Sequence, residues 1–347
     1  MMWLKNVDLE NISVPMKIVR LISSINEYKG KQQLYKQQSP QMLEKLKDIA
    51  VIQSTKASNS IEGIIITDKR LKDIVNKDLS PKDRSEGEIA GYKDVLQTVH
   101  SSYEYIPINC NTILQLHRDL YKFLPGWGGK WKTQDNVIEE ILPNGSRYIR
   151  FKPTSSFETP MAMEELCGSL RSEMVTERID PLILIGVFIL DFLCIHPFND
   201  GNGRMARLLT TLLLYKFEYE VGRFISLEKI IEESKESYYE TLNGSSKHWH
   251  EGNNNIFIWL EYFLGMILGA YKEFESRVGI LDSQVGNKAS RVEKTIEHIL
   301  GQFTKEDIRQ KCPHVGESTI NRVLKKLKAE EKIASTGKGR NAKWIKL

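Results

Sequence analysis

Two runs, residues 182–195 and 204–217, are apolar on nearly every helical face, and a helix without a polar side has to be buried. The chain is therefore expected to be mainly α-helical, wrapped around that pair. The first run is too short to cross a bilayer and contains Gly186 and Asp191, so it reads as a core helix. Between the two runs, and overlapping the start of the second, lies His196-Pro197-Phe198-Asn199-Asp200-Gly201-Asn202-Gly203-Arg204-Met205-Ala206-Arg207.

Each residue type in that loop suits phosphate chemistry. Pro197 stops the preceding helix and leaves His196 at its end with a free imidazole. Gly201 and Gly203 allow backbone angles at which several N–H groups point at one anion. A helix restarting near Arg204 adds its positive N-terminal end. Arg204 and Arg207 are three apart, share a helical face and can grip two phosphates. Asp200 is a hard oxygen ligand suited to the magnesium ion of a nucleotide. His196, with an ordinary pKa near neutrality, is the candidate general base.

The loop fits the pattern His-Pro-Phe-x-Asp-Gly-Asn-Gly-Arg-x-x-Arg at every defined position, and the chain resembles the Fic/DOC family of adenylyltransferases. That resemblance implies a Fic helical bundle with a small β-hairpin flap. It also implies that ATP with Mg2+ binds over Gly201, Asn202 and Gly203, with Asn202 near the α-phosphate and Arg204 and Arg207 on the distal phosphates. AMP would pass to a Ser, Thr or Tyr hydroxyl of a target protein, or of the chain itself.

Upstream, residues 14–57 carry apolar positions at helical spacing with breaks at Gly30 and Ser39-Pro40, which predicts two or three helices. Ser58 and Glu62 then share a helical face and Gly63 is a natural stop. Spacing alone leaves Glu62 a solvated side chain. The family resemblance gives it another role, because Ser58 to Gly63 fits an inhibitory pattern, Ser/Thr-x-x-x-Glu-Gly/Asn, whose glutamate pairs with the second arginine, here Arg207. Runs 137–142 and 147–152 flank Pro143-Asn144-Gly145-Ser146 and read as a hairpin. By sequence alone it is either decoration or a site for strand addition; by resemblance it is the flap on which a target protein docks. Tyr238 and Tyr239 are packing residues by spacing, and border the adenine by resemblance.

The last sixty residues are a separate object: 15 basic against 7 acidic residues from Lys288 onward, in a chain of 347 with 49 basic and 45 acidic in all. Three short helices and two strand-like pieces around a basic glycine turn, residues 337–341, resemble a winged helix, with Ser318, Thr319, Asn321, Arg322, Lys325 and Lys326 on the helix that would enter a groove. The expected division is a helical region over 1–95 with the inhibitory helix at about 50–63, a catalytic core over 96–273 with the flap at about 137–152, a linker over 274–289 and a winged-helix-like α/β domain over 290–347. Four cysteines without a C-x-x-C pair argue against zinc and a disulfide framework. With no signal peptide evident in the first thirty residues, a cytoplasmic protein is expected, with no membrane partner. Removal of AMP by the same site, transcriptional regulation through DNA bound by the C-terminal segment, and a homodimer stay open as alternatives.

Overall fold

The computed structural model describes residues 13–38, 40–77, 80–124, 126–141, 146–282, 288–299, 302–313, 315–336 and 342–347. The described residues are mainly helical and form two small antiparallel sheets. Helix α1 (Met16–Gln38) runs straight through Gly30, and α2 (Pro40–Ile61) follows it. Ser39 lies outside the described residues. After α3 (Asp68–Lys77), Asp83 caps α4 (Arg84–Ser102) by accepting from the Glu86 N–H, which satisfies one of the unpaired donors of the first turn. Helix α5 (Cys110–Leu120) is capped likewise by Asn109. A hairpin of β1 (Ile138–Ile141) and β2 (Arg147–Phe151) precedes α6 (Thr159–Thr176); the Pro143-Asn144-Gly145 turn is outside the described residues.

The expected central pair is α7 (Pro181–Ile195) and α8 (Asn202–Lys216). Asp180 caps α7 and Pro181 sits in its first turn, where its missing N–H costs nothing. Leu182, Phe188, Phe192, Leu208 and Leu212 have no exposed surface, so the pair is the core of the larger cluster. Helices α9 (Leu227–Glu233) and α10 (Lys235–Ser246) follow, meeting at Ser234. Helix α11 (Ile256–Asp282) packs along α1 and against α7. It comes close at Gly186, where an added Cβ would press on Leu260 and Phe263, and there the Trp259 indole donates to the Gly186 carbonyl at 2.8 Å.

The linker expected over 274–289 is corrected by α11, which continues unbroken to Asp282. Phe274 and Val278 are 1% and 2% exposed; four apart, they extend the buried stripe of the helix past the polar residues between them. Residues 283–287 are outside the described residues, and α12 (Lys288–His298) comes next. The C-terminal unit continues as β3 (Phe303–Thr304), α13 (Lys305–Lys311), α14 (Glu317–Ala329), β4 (Ile333–Ser335) and β5 (Lys343–Lys346), with strand order β3-β5-β4. It has its own core, including Val292, Ile308, Ile320, Val323 and Trp344. The basic glycine turn, 337–341, is outside the described residues. No helix among the described residues is long and apolar enough to cross a membrane.

Candidate active site

His196 ends α7 in the left-handed conformation, φ 51°, with its N–H bonded to the Phe192 carbonyl. A non-glycine residue pays strain there unless its surroundings hold it, and here they do. Lys132 N–H donates to Pro197 O at 2.8 Å, Lys132 Nζ donates to Ile195 O at 3.0 Å, and Asn136 Nδ2 donates to Phe198 O at 3.0 Å. Asn202 closes the loop from inside: its Oδ1 accepts from Phe198 N–H at 2.9 Å and its Nδ2 donates to Phe198 O at 2.8 Å. The His117 ring stacks on Phe198 with centroids 3.6 Å apart.

The imidazole of His196 is not wholly free. Its Nδ1 lies 3.2 Å from Leu193 O. A carbonyl only accepts, so Nδ1 carries the proton and Nε2 keeps the lone pair. Burial lowers the His196 pKa to about 4, which keeps the ring neutral at physiological pH. His117 follows the same rule with opposite connectivity. Its Nδ1 accepts from Gly129 N–H at 3.0 Å, so Nε2 carries the proton to Asp200 O at 3.1 Å, and burial lowers its pKa to about 4.

A cavity of about 1160 Å³ opens over His196, with Gly203, Arg207, Glu62, Tyr238 and Tyr239 in its wall and Ile138, Glu139, Arg150 and Phe151 of the hairpin across from them. The hairpin is fixed at its base, where His250 donates to the Lys152 carbonyl at 2.7 Å and stacks on Phe151. Tyr238 is 3% exposed and packs edge-on to Trp259, so it serves the core as well as the wall.

Arg207 donates three hydrogen bonds to the end of α2 and the residue just past it. Its Nε donates to Ser58 Oγ at 2.8 Å, and its Nη2 donates to Ser58 O at 2.9 Å and to Glu62 Oε1 at 2.7 Å. Its Nη1 is buried without a hydrogen-bond partner. Burial works against its charge, but Glu62 more than restores it and the pKa is raised. Gly63, at φ 80°, turns the chain after Glu62, a conformation suited to glycine. At Gly203 a Cβ would overlap Glu62 Oε1 and crowd Arg207 Nη1, so the bare glycine lets the carboxylate approach.

Arg204 goes elsewhere. It does not share the cavity wall with Arg207. Arg204 is 1% exposed, with Nη1 at 2.6 Å from Glu88 Oε2 and Nη2 donating to the Tyr121 hydroxyl at 2.7 Å. Asp200 is on the same side: its carboxylate lies 3.4 Å from Arg84 and 3.7 Å from Arg204. Helix α8 starts at Asn202 rather than at Arg204, so Arg204 already lies inside its first turn. Asn202 holds its own loop with both ends of its amide. Glu88, Tyr121, Lys132, Asn136 and His117 escaped the sequence reading; only the Arg84–Glu88 spacing of four, a helical ion pair at 2.8 Å, gave a signal.

The described residues contain no cluster of three His, Cys, Asp or Glu that could hold a metal by themselves. Asp200 is a half-exposed carboxylate, which suits magnesium held by one protein oxygen together with phosphates and water.

Residues 107–214 match the family model described as Fic/DOC family. The protein adenylyltransferase Fic of Nematostella vectensis is 24% identical over 194 residues, covering 54% of this chain and 41% of that protein. The protein adenylyltransferase fic-1 of Caenorhabditis elegans is 26% identical over 137 residues, 38% of this chain and 25% of that one. The chain thus spans less than half the length of these curated relatives. Among solved structures, a Fic family protein from Desulfovibrio desulfuricans has a TM-score of 0.63 at 20% identity over 97% of both chains. Fic-1 from Caenorhabditis elegans has 0.57 at 16% identity, covering 77% of this chain and 73% of that one. The segment matched by the Fic/DOC family model, residues 107–214, carries His196, its loop and both arginines.

Proposed function

We propose that the chain is a protein adenylyltransferase, moving AMP from ATP to a hydroxyl of a protein, and that Glu62 holds it shut. One observation carries this reading. A neutral histidine with a free Nε2 and a buried arginine with an unpartnered Nη1 line one cavity, which the hairpin closes on the far side. The lone pair is placed to take a proton, and the open donor to take an anion. A Ser, Thr or Tyr hydroxyl beside the hairpin gives its proton to His196 Nε2 while its oxygen attacks the α-phosphorus. The bond from that phosphorus to pyrophosphate breaks as the new P–O bond forms. Arg207 steadies the charge growing on the leaving group, and such positioned charge is the main source of rate in phosphoryl-type transfers. Bound magnesium, for which Asp200 of the loop is the candidate ligand, would neutralise part of the phosphate charge.

Glu62 competes for Arg207. With Nη2 paired to Glu62 and Nε to Ser58, a nucleotide meets the arginine already engaged. The reading is tested with ATP labelled at the α-phosphate. His196→Ala is expected to abolish labelling of protein, and undiminished labelling would remove His196 from the role of base.

A further inference from the structure

We propose that Glu228 is the fixed counter-charge of Arg207, acting through Tyr92 and Ser58, and that it keeps the arginine in place when Glu62 gives way. Glu228 is then a positioning residue, because it reaches the arginine only through two other side chains. Its use towards a nucleotide rests on the reading of the cavity given above. The coupling itself does not, and it is tested without nucleotide.

Glu228 is a buried carboxylate with uncharged partners. It lies in the first turn of α9 and is 2% exposed. Tyr92 of α4 donates to its Oε1 at 2.9 Å, and Ser226 donates to its Oε2 at 3.3 Å. The start of its own helix supplies only part of a positive charge. A carboxylate drawn out of water needs more than that to offset its lost solvation.

Arg207 stands at the far end of the same hydroxyls. Its Nε donates to Ser58 Oγ at 2.8 Å, and the Ser58 hydroxyl in turn meets the hydroxyl of Tyr92. Every proton in this chain has one place to go. A guanidinium only donates, so Ser58 accepts from it and has its own proton left for Tyr92. A carboxylate only accepts, so Tyr92 gives its proton to Glu228 and takes the serine's. The bonds therefore run one way, from Arg207 to Ser58 to Tyr92 to Glu228, with the cation at the donor end and the anion at the acceptor end. Bonds aligned in this manner in a dry site polarise and strengthen one another. Ser58 and Tyr92 have no exposed surface, so water does not come between the two charges. Tyr92 registers both: after burial itself, Glu228 raises its pKa and Arg207 lowers it.

A second arm ties Glu228 to the same helix. Ser54 of α2 donates to Ser226 Oγ at 3.0 Å, and Ser54 and Ser58 fall four apart on one helical face. The two carboxylates that act on Arg207 are thus unlike. Glu62 reaches water, with a side chain 31% exposed, and can yield its place to another anion. Glu228 is enclosed, and remains to balance a buried guanidinium.

Melting of the full chain near neutral pH tests the coupling. Glu228→Gln keeps an acceptor for Tyr92 and removes the charge, and should lower the melting temperature by roughly 4 °C or more. In a chain carrying Arg207→Met, the same change should leave the melting temperature level or raise it, because there the carboxylate is the stranded charge. An equal fall in both backgrounds would show that Glu228 serves only its own helix and its hydroxyl donors, and would overturn the proposal. The Nε–H resonance of Arg207, assigned by its loss in Arg207→Lys, gives a second measurement in chains that all carry Glu62→Gly. It should exchange with solvent about tenfold faster, or more, once Tyr92→Phe breaks the chain of bonds. Unchanged exchange would equally remove the coupling, whatever the outcome of labelling with ATP.

Discussion

The two arginines of the loop sit three residues apart on one helix and live in different surroundings. Arg204 is built into the scaffold: 1% exposed, it faces Glu88, itself 3% exposed, and the Tyr121 hydroxyl. Arg207 is as deeply buried, yet its carboxylate partner Glu62 is 31% exposed in its side chain and comes from the end of another helix. One ion pair is closed on all sides. The other has a partner that water can reach, and an Nη1 with no bond at all. The difference separates an arginine that holds a loop in shape from one that can exchange partners.

The sharpest way to break that comparison is to remove each carboxylate. Glu88→Ala strands Arg204 without its counter-ion in a dry site, and loss of one member of a buried pair costs about 3–5 kcal/mol. Chemical denaturation should show a loss of that order, along with weaker ordering of Asp200 and Arg84, which share the network. A loss below about 1 kcal/mol would mean that Arg204 finds water or a new partner, and that it is no more fixed than Arg207.

Acid offers a second cut, because one neutral histidine stands on each side. His117, tied at both nitrogens beside Asp200, and His196, tied at one, both have pKa values lowered to about 4. In the unfolded chain each would titrate near 6.5. Between those values the unfolded state binds protons that the folded state refuses, so stability falls as pH drops from about 6.5 towards 4. Each histidine contributes at most about 1.4 kcal/mol per pH unit to that fall. Replacing His196 with Ala should flatten the dependence of melting temperature on pH over that window. For labelling, the acid limb of kcat/KM should lie near 4, since this limb reports the free enzyme's base. A limb at 6.5 would show that His196 is far better solvated than its burial implies.

How much of this was legible from residues alone depends on whether a local rule was enough. Pro197 placed His196 at a helix end, and the apolar runs placed that end in the core, because backbone restriction and burial both act locally. Spacing also put Ser58 and Glu62 on one face, but it could not say which cation they meet. The misjudged points are tertiary. Three residues along a helix is a separation of about 60° around its axis, enough for Arg204 to turn to α4 while Arg207 turns to α2. Nothing in the loop records that Glu88 would be waiting. Lys132 and Asn136 brace the loop through its carbonyls, and such bonds leave no side-chain pattern in the loop to find. At residues 274–282 the signal existed: Phe274 and Val278 continue the stripe of α11, and the polar residues around them outweighed it.

The smallest expected effect in energy bears most directly on function. Glu62→Gly removes an ion pair with one partly exposed partner, worth about 1 kcal/mol once solvent screening is counted, so the fold should keep its melting temperature within a few degrees. The same change releases the Arg207 Nη2 bond that Glu62 takes, beside a buried Nη1 that has no partner, while Ser58 still holds Nε and Nη2. A competing contact of about 1 kcal/mol shifts a two-state balance roughly fivefold, so self-labelling and target labelling by ATP should rise by about that factor or more, most visibly at low ATP. If labelling stays flat across ATP concentrations while stability is unchanged, Glu62 is only a surface partner of Arg207. If instead the rise comes with a loss of stability as large as that of Glu88→Ala, Glu62 belongs to the scaffold, and the two arginines differ less than their surroundings suggest.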